Sequence, residues 1–130
     1  MQIHLRNEID LDGQREVIDQ THPVDVTEKN GFSYFIFVNE EKERVVIKCN
    51  DQELIMTRFS NPKSVLRFHR EVQALVTIPT PMGIQHFMTK TSKFIFDKTS
   101  HSIKLDYVLK QPDSESQNIF AKYQLELTWF

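Results

Sequence analysis

The sequence predicts an all-β fold, a single antiparallel meander barrel of about eight to ten strands that spans residues 1–130 as one domain. Three observations predict it. Turn-forming residues recur at intervals of about ten residues. Apolar and polar residues alternate between these turns, as expected for strands with one buried face. Finally, β-branched and aromatic residues crowd every window that would otherwise suit an amphipathic helix.

The predicted turns divide the chain into strands from the N-terminus onward. Asp12-Gly13 and Asn30-Gly31 are pairs that accept the positive φ angles of two-residue hairpin turns. Further turns are predicted at residues 39–42, 50–51, 60–63, 79–83, 97–100 and 112–116. Residues 64–78 come nearest to a helical period, but their composition favours a strand.

Alternation in the last two strands shows which side chains would face the barrel interior. In both strands, one face is apolar and the other is polar. The inward sets are Ile103, Leu105, Tyr107 and Leu109, and then Ile119, Ala121, Tyr123, Leu125, Leu127 and Trp129. Residues 32–38 are apolar on both faces, so their outer face needs a cover. The N-terminal strand, a partner subunit and a ligand are three alternatives.

Composition and charge narrow the functional classes. Cys49 is the only cysteine, and the N-terminus does not resemble a signal peptide, which predicts a cytoplasmic protein. No window approaches the run of about 20 apolar residues that spans a bilayer, so no membrane is expected as a partner. A net charge of −2 offers no general attraction for polyanions, which argues against nucleic acid.

No motif in the sequence predicts a catalytic, metal or cofactor site. No two histidines stand two residues apart on a strand, and Cys49 has no neighbouring cysteine. The three glycines are too far apart for a phosphate-binding loop, and a Gly-x-Ser-x-Gly elbow is absent from the sequence. We therefore expect no cofactor. Enzymatic activity stays open, because catalytic groups can converge from distant strands, but the sequence favours its absence.

The order of several short segments resembles the YwiB-like family of small bacterial proteins. These segments are Asn30-Gly31-Phe32-Ser33-Tyr34, Met56-Thr57-Arg58, Val65-Leu66-Arg67-Phe68, Thr80-Pro81-Met82-Gly83, Thr89-Lys90-Thr91 and Tyr107-Val108-Leu109. The resemblance covers nearly the whole chain. It implies a calycin-like barrel, the architecture of lipocalins, and a function that is unassigned.

The chain departs from that family at one turn. Where such sequences usually carry a glycine, this one has Arg70-Glu71-Val72-Gln73, and valine is a poor residue for positive φ. The turn has therefore changed type or merged into a longer bent strand. The sequence also lacks the N-terminal Gly-x-Trp of true lipocalins, so their transport function is not carried over.

Residues 30–37 approximate the RNP1 pattern, in which aromatic side chains on a strand stack on unpaired bases. Asn30, Ser33 and Phe35 depart from the pattern, and the chain supplies neither helix of the RNA-recognition fold. A hairpin that enters an aromatic core strand explains the same residues better.

The barrel interior carries the leading functional hypothesis. Ten phenylalanines, three tyrosines and four methionines would suit a small apolar or amphipathic guest, and they would equally make a dry core. Arg58, Arg70 and His86 share the parity of apolar faces and would serve the polar end of the ligand. The predicted contacts also include Phe68, Met88 and Tyr107.

A protein-interaction or homodimerisation module with a closed core is the alternative. It would use residues 32–38, or the apolar C-terminal end at Trp129 and Phe130.

Overall fold

The computed structural model describes residues 1–112 and 119–130, and this part of the chain contains strands and turns. No helix in these residues is long and apolar enough to cross a membrane. The strands are β1 Gln2–Leu11, β2 Gln14–Pro23, β3 Asp25–Lys29, β4 Phe32–Val38, β5 Arg44–Cys49, β6 Glu53–Arg58, β7 Ser64–His69, β8 Ala74–Thr80, β9 Gly83–Asp97, β10 Ser102–Lys110 and β11 Ile119–Trp129.

The strands form one antiparallel sheet in the order β2-β1-β11-β10-β9-β8-β7-β6-β5-β4-β3, which curls into a nearly closed barrel. The segment from Gln14 to Lys29 connects the two ends of that order. It pairs with β1 as far as Pro23, and from Asp25 onward it pairs with β4. The buried Val24 marks the change of partner. The predicted meander barrel is confirmed. Its described residues form eleven strands where about eight to ten were predicted, and the bend at Val24 contributes one of them by dividing the segment from Gln14 to Lys29 into β2 and β3.

Two predicted hairpin turns have the backbone geometry that their residues favour. Asp12 and Gly13 have φ angles of 51° and 79°, and Asn30 and Gly31 have 54° and 81°. These values match a turn with positive φ at both central residues, whose twist continues that of the flanking strands. The predicted turn at residues 112–116 lies, beyond Pro112, outside the described residues.

The turn that lacks the expected glycine is present. Residues 70–73 separate β7 from β8, and Val72 does not adopt a positive φ angle. Arg70 connects this turn to the turn after β5, because its backbone N donates a hydrogen bond to the carbonyl O of Gln52 at 2.8 Å. Of the two alternatives for this segment, the structure has a turn and not a longer bent strand. The strand prediction for residues 64–78 is confirmed on either side of it.

Aromatic and aliphatic side chains fill the centre of the barrel. The ring centroids of Phe35 and Trp129 are 4.7 Å apart, and those of Phe68 and Tyr107 are 4.4 Å apart. Each of these pairs joins strands from distant parts of the sheet. The inward sets predicted for β10 and β11 are buried except for Ile119, which is exposed, and Tyr123, which is partly buried.

The sheet is weakest between β7 and β8. These neighbouring strands share one paired position, Val65 with Thr77. The side chain of Thr89, which is 1% exposed, lies at this seam. Its hydroxyl donates a hydrogen bond of 2.6 Å to the carbonyl O of Arg67 and contacts the carbonyl O of Ala74 at 3.4 Å. A side chain from β9 therefore joins the two strand ends where backbone pairing is sparse.

The outer face of β4 is apolar and partly covered, because Lys48 Nζ lies over the rings of Phe32 and Tyr34. Ser33, Phe35 and Phe37 are buried inside the barrel, so their neighbours along β4 point outward. Val38 is 55% exposed, and Phe32, Tyr34 and Ile36 are partly buried. Of the three covers predicted for this face, the N-terminal strand does not supply one, since β1 pairs with β2 and β11.

Candidate functional site

The turns of a meander alternate between the two rims of the barrel. The turns after β3, β5, β7 and β9 therefore share one rim, together with the end of β11. Two contacts connect them: Arg70 Nε donates a hydrogen bond to the carbonyl O of Asp51 at 2.7 Å, and Trp129 N donates one to the carbonyl O of His101 at 3.2 Å. We call this the Trp129 rim.

A crevice of about 300 Å³ opens at the Trp129 rim. Strand parity directs the inner side chains of β3 and β4 into it, and the turn between β9 and β10 closes one side. Its lining residues are Met1, Val26, Thr27, Glu28, Ser33, Phe35, Lys98, His101 and Trp129. A volume of this size is at the lower end of the range for small-molecule sites.

The aromatic wall of the crevice consists of Phe35, Trp129 and His101. Phe35 packs against the indole edge-on, with an interplanar angle of 62°. His101 stacks on the indole with a centroid separation of 5.3 Å and an angle of 12°, and Phe96 lies 6.4 Å away. His101 has a φ of 56°, which is uncommon for a residue other than glycine. This backbone conformation at the end of the turn positions the imidazole over the indole.

Polar groups of opposite charge stand at the entrance. Lys98 Nζ lies 3.1 Å from Glu28 Oε1, and both side chains are more than half exposed. The hydroxyl of the buried Ser33 is 3.4 Å from the same carboxylate oxygen. The crevice therefore combines an aromatic wall with a carboxylate, an ammonium and a hydroxyl, a set that suits a molecule with an apolar body and a polar group.

The structure separates the cationic residues that the sequence grouped together. Arg70 is on the Trp129 rim, where its guanidinium carbon lies 4.9 Å from the ring centroid of Phe94. Arg58 is at the opposite rim, where it pairs with Glu43 at 3.6 Å. Strand β7 lies between them and is about 20 Å long, so the two guanidinium groups do not meet at one small head group.

His86 and Met88 lie on the outer face of β9. Their cross-strand partners are Thr77 and Leu75, and Leu75 is 52% exposed. His86 Nδ1 is 3.4 Å from the hydroxyl of Thr77. These two residues therefore point away from the interior.

Phe68 and Tyr107 are the predicted contacts that the structure brings together. Both are buried, and their rings touch across the interior. Tyr107 also stacks on Tyr123, with centroids 4.7 Å apart and an angle of 8°. Burial raises the pKa of Tyr107 above its ordinary value, with a smaller contribution from the neighbouring Tyr123. The Tyr107 phenol is therefore neutral at physiological pH.

The single thiol has no nucleophilic character. Cys49 is fully buried, and desolvation, with smaller contributions from Asp51 and Glu53, raises its pKa to about 12. A thiol of this kind stays protonated near neutral pH. Within residues 1–112 and 119–130, no three His, Cys, Asp or Glu side chains are placed to hold a metal ion.

Sequence reasoning did not find the crevice residues as a group. The alternation in β11 correctly predicts that Trp129 faces inward, but it does not predict that Trp129 lines a crevice. Glu28 and His101 carried no signal, since their positions depend on the register of β3 and on a turn conformation. The one usable signal was the single tryptophan on an inward position next to a chain end.

The family of this chain is identified by its match to known proteins. The domain of unknown function DUF1934 matches residues 3–127. The chain belongs to this family. The crystal structure of the ywiB protein from Bacillus subtilis is similar, with a TM-score of 0.75 and 16% sequence identity, over 99% of this chain and 90% of that chain. This likeness shows the fold, and with the family match it confirms the resemblance predicted from the sequence. No curated protein matches the chain.

Proposed function

We propose that this DUF1934 protein is a non-catalytic cytoplasmic binding protein that takes a small amphipathic molecule into the crevice at the Trp129 rim. The observation that carries the proposal is the aromatic wall of Phe35, Trp129 and His101 beside the Glu28–Lys98 ion pair. An apolar or aromatic body would pack against the exposed His101, which stacks on the largely buried indole of Trp129, and its polar group would contact Lys98 or Glu28.

The dense packing of the barrel centre favours a binding site at the rim. Ring contacts such as Phe68 with Tyr107 occupy the centre of the barrel, so a guest there would have to displace well-packed side chains. At the rim, space is open and polar groups are within reach. Phe68 and Tyr107 belong to the packed core and not to the lining of the crevice, and Arg70 supplies a further cation on the same rim.

The remaining predicted residues have other surroundings. Arg58, His86 and Met88 lie away from the crevice, and the proposal does not use them. The cytoplasmic location is part of the proposal. Its support is the single cysteine, which is buried and has no internal partner.

Trp129 is the only tryptophan of the chain, so its fluorescence reports directly on the crevice. We use 8-anilinonaphthalene-1-sulfonate, an aromatic anion, as the probe. We expect it to quench Trp129 emission in a saturable way. Lys98→Gln should weaken its binding roughly two- to fivefold, because an exposed ion pair with the sulfonate is lost. The matched control is Lys104→Gln, which removes an exposed lysine from the outer face of β10.

Two results would contradict the proposal. Saturable probe binding that leaves Trp129 emission unchanged would place the ligand elsewhere. Equal weakening by Lys98→Gln and Lys104→Gln would show general charge attraction only. Native mass spectrometry of the protein purified without denaturant provides an independent measurement, in which a copurifying small molecule that Trp129→Ala removes is expected.

The closed core also favours a second function, a self-association module. A mainly apolar groove with a volume of about 530 Å³ opens beside the β4 outer face. Its lining residues are Met1, Pro23, Val24, Asp25, Ile36, Phe37, Val38 and Arg44. Light scattering distinguishes the two. A stable dimer that Val38→Asp converts to monomer would support this module, and a monomer at all concentrations would remove it.

A further inference from the structure

The outer surface of strands β3 to β7 carries aromatic side chains and cations together. Phe32 and Tyr34 point outward from β4, because the residues between and beyond them, Ser33 and Phe35, are buried inside. Lys48 of β5 lies over both rings, with its Nζ 4.2 Å from the Phe32 centroid and 5.9 Å from the Tyr34 centroid. We call this surface the β4 platform.

The strand register arranges these side chains in rows. Tyr34 is opposite Lys48, Lys48 is opposite Ile55, and Ile55 is opposite Arg67. With strands about 4.8 Å apart, this row is roughly 14 Å long. Lys29 of β3 is opposite Phe32 in the neighbouring row. Aromatic, cationic and apolar groups therefore alternate across the platform.

The charge of the platform differs in sign from that of the whole chain. The chain has a net charge of −2, while the platform carries Lys29, Arg44, Lys48 and Arg67 against two carboxylates, Asp25 and Glu53. Among the described residues, none of these four cations forms an ion pair with a carboxylate. A polyanion would meet cations that are available for contact.

We propose that the β4 platform binds single-stranded nucleic acid, with unpaired bases stacked on Phe32 and Tyr34 and phosphates held by Lys29, Lys48 and Arg67. Rings on the outer face of a strand can accept bases of any sequence, and neighbouring cations follow the backbone. A base that stacks on Phe32 moves the Lys48 ammonium from the ring toward a phosphate. A duplex hides its base faces, so it would lose the stacking contribution.

The charge of the β4 platform also favours a nucleic acid over a second copy of the chain as its partner. Two β4 platforms packed face to face would bring Lys48 and Arg67 of each copy near the same cations of the other. Such like-charge contact is unfavourable at an interface, whereas a phosphate backbone complements it. The inference does not depend on the ligand proposed for the Trp129 rim, since the platform lies on the outside of the barrel.

Fluorescence anisotropy of the full chain with a fluorescein-labelled fifteen-nucleotide oligothymidylate tests the proposal, and oligouridylate and a duplex of equal length serve as further probes. We expect a Kd of about 1 to 100 µM for the single strands at about 50 mM salt, and weaker duplex binding.

Tyr34→Leu should weaken single-strand binding roughly 5- to 150-fold, because stacking is lost. With three phosphate contacts, the slope of log K against log salt is expected to be about −2.

Lys48→Gln and Arg67→Gln should each reduce that slope by about 0.7, whereas Lys104→Gln on the opposite outer surface should leave it unchanged. Circular dichroism verifies that each variant is folded, and the exposed Arg67 provides a test that does not disturb packing. The proposal is overturned by undetectable binding at about 100 µM protein, by equal effects of Lys48→Gln and Lys104→Gln, or by wild-type affinity in Tyr34→Leu. A dimer that Tyr34→Asp disperses would also overturn it.

Discussion

Burial changes the chemistry of single residues in this barrel. Cys49 would ionise near its ordinary pKa of 9.0 in an unfolded chain, but its interior position raises the pKa to about 12. The neutral thiol is therefore favoured by folding. Because the unfolded chain releases this proton first, the contribution of Cys49 to stability is complete below about pH 9 and declines as the pH rises toward 12.

Urea denaturation measures this contribution. Between pH 7 and pH 10 the free energy of unfolding of the wild type should fall by about 1 kcal/mol more than that of Cys49→Ala. The comparison with Cys49→Ala cancels the ionisation of tyrosines, which both proteins share. Equal losses in the two proteins would mean that the Cys49 thiol is not desolvated as the structure has it.

Alternation alone predicts the orientation of single residues correctly where a strand is regular. Tyr107, Leu125 and Trp129 were correctly placed on the inner faces of β10 and β11. It did not succeed for Glu28 or His101, since no local pattern encodes a register or a strained turn. The role of a residue in the crevice depends on neighbours that are distant in sequence.

At the element scale, one irregularity explains why His86 and Met88 point outward. The register between β9 and β10 shifts between Asp106 and Tyr107, where Ser92 is the extra residue on β9. A one-residue bulge exchanges the two faces of a strand. Phe94 and Phe96 after the bulge point inward, whereas Phe87 and Thr89 do so before it. If the alternation is assumed to continue unbroken along β9, the residues on one side of the bulge are assigned to the wrong face.

The β3–β4 hairpin depends on the conformation of Gly31. Its φ of 81° strains any side chain, although a Cβ at this position would have no contact within 4 Å. We expect Gly31→Ala to lower the free energy of unfolding by about 1–2 kcal/mol. Gly31→Asn is the control, and its loss should be smaller because asparagine tolerates positive φ. Urea denaturation compares them, and equal losses would show that the turn is not the cause.

At the scale of the whole molecule, turn spacing and alternation were sufficient to predict an antiparallel barrel. They did not predict how it closes. The change of partner at Val24 was not predicted, although Pro23, which cannot donate a hydrogen bond to a neighbouring strand, stands beside it and marks the end of β2. The balance between a filled and an open interior was also undetermined, since the same phenylalanines suit both. Their three-dimensional packing, not their number, decides it.

The sparse pairing of β7 with β8 implies that the wall of the barrel is a cylinder with one slit. Backbone amides beside that slit should open to solvent without global unfolding. Hydrogen–deuterium exchange is therefore expected to be faster in Ser64–His69 and Ala74–Thr80 than in β10 and β11, and Thr89→Val should widen the difference. Uniform protection of all strands would contradict this. If the slit opens in this way, the interior has a side entrance that no rim controls.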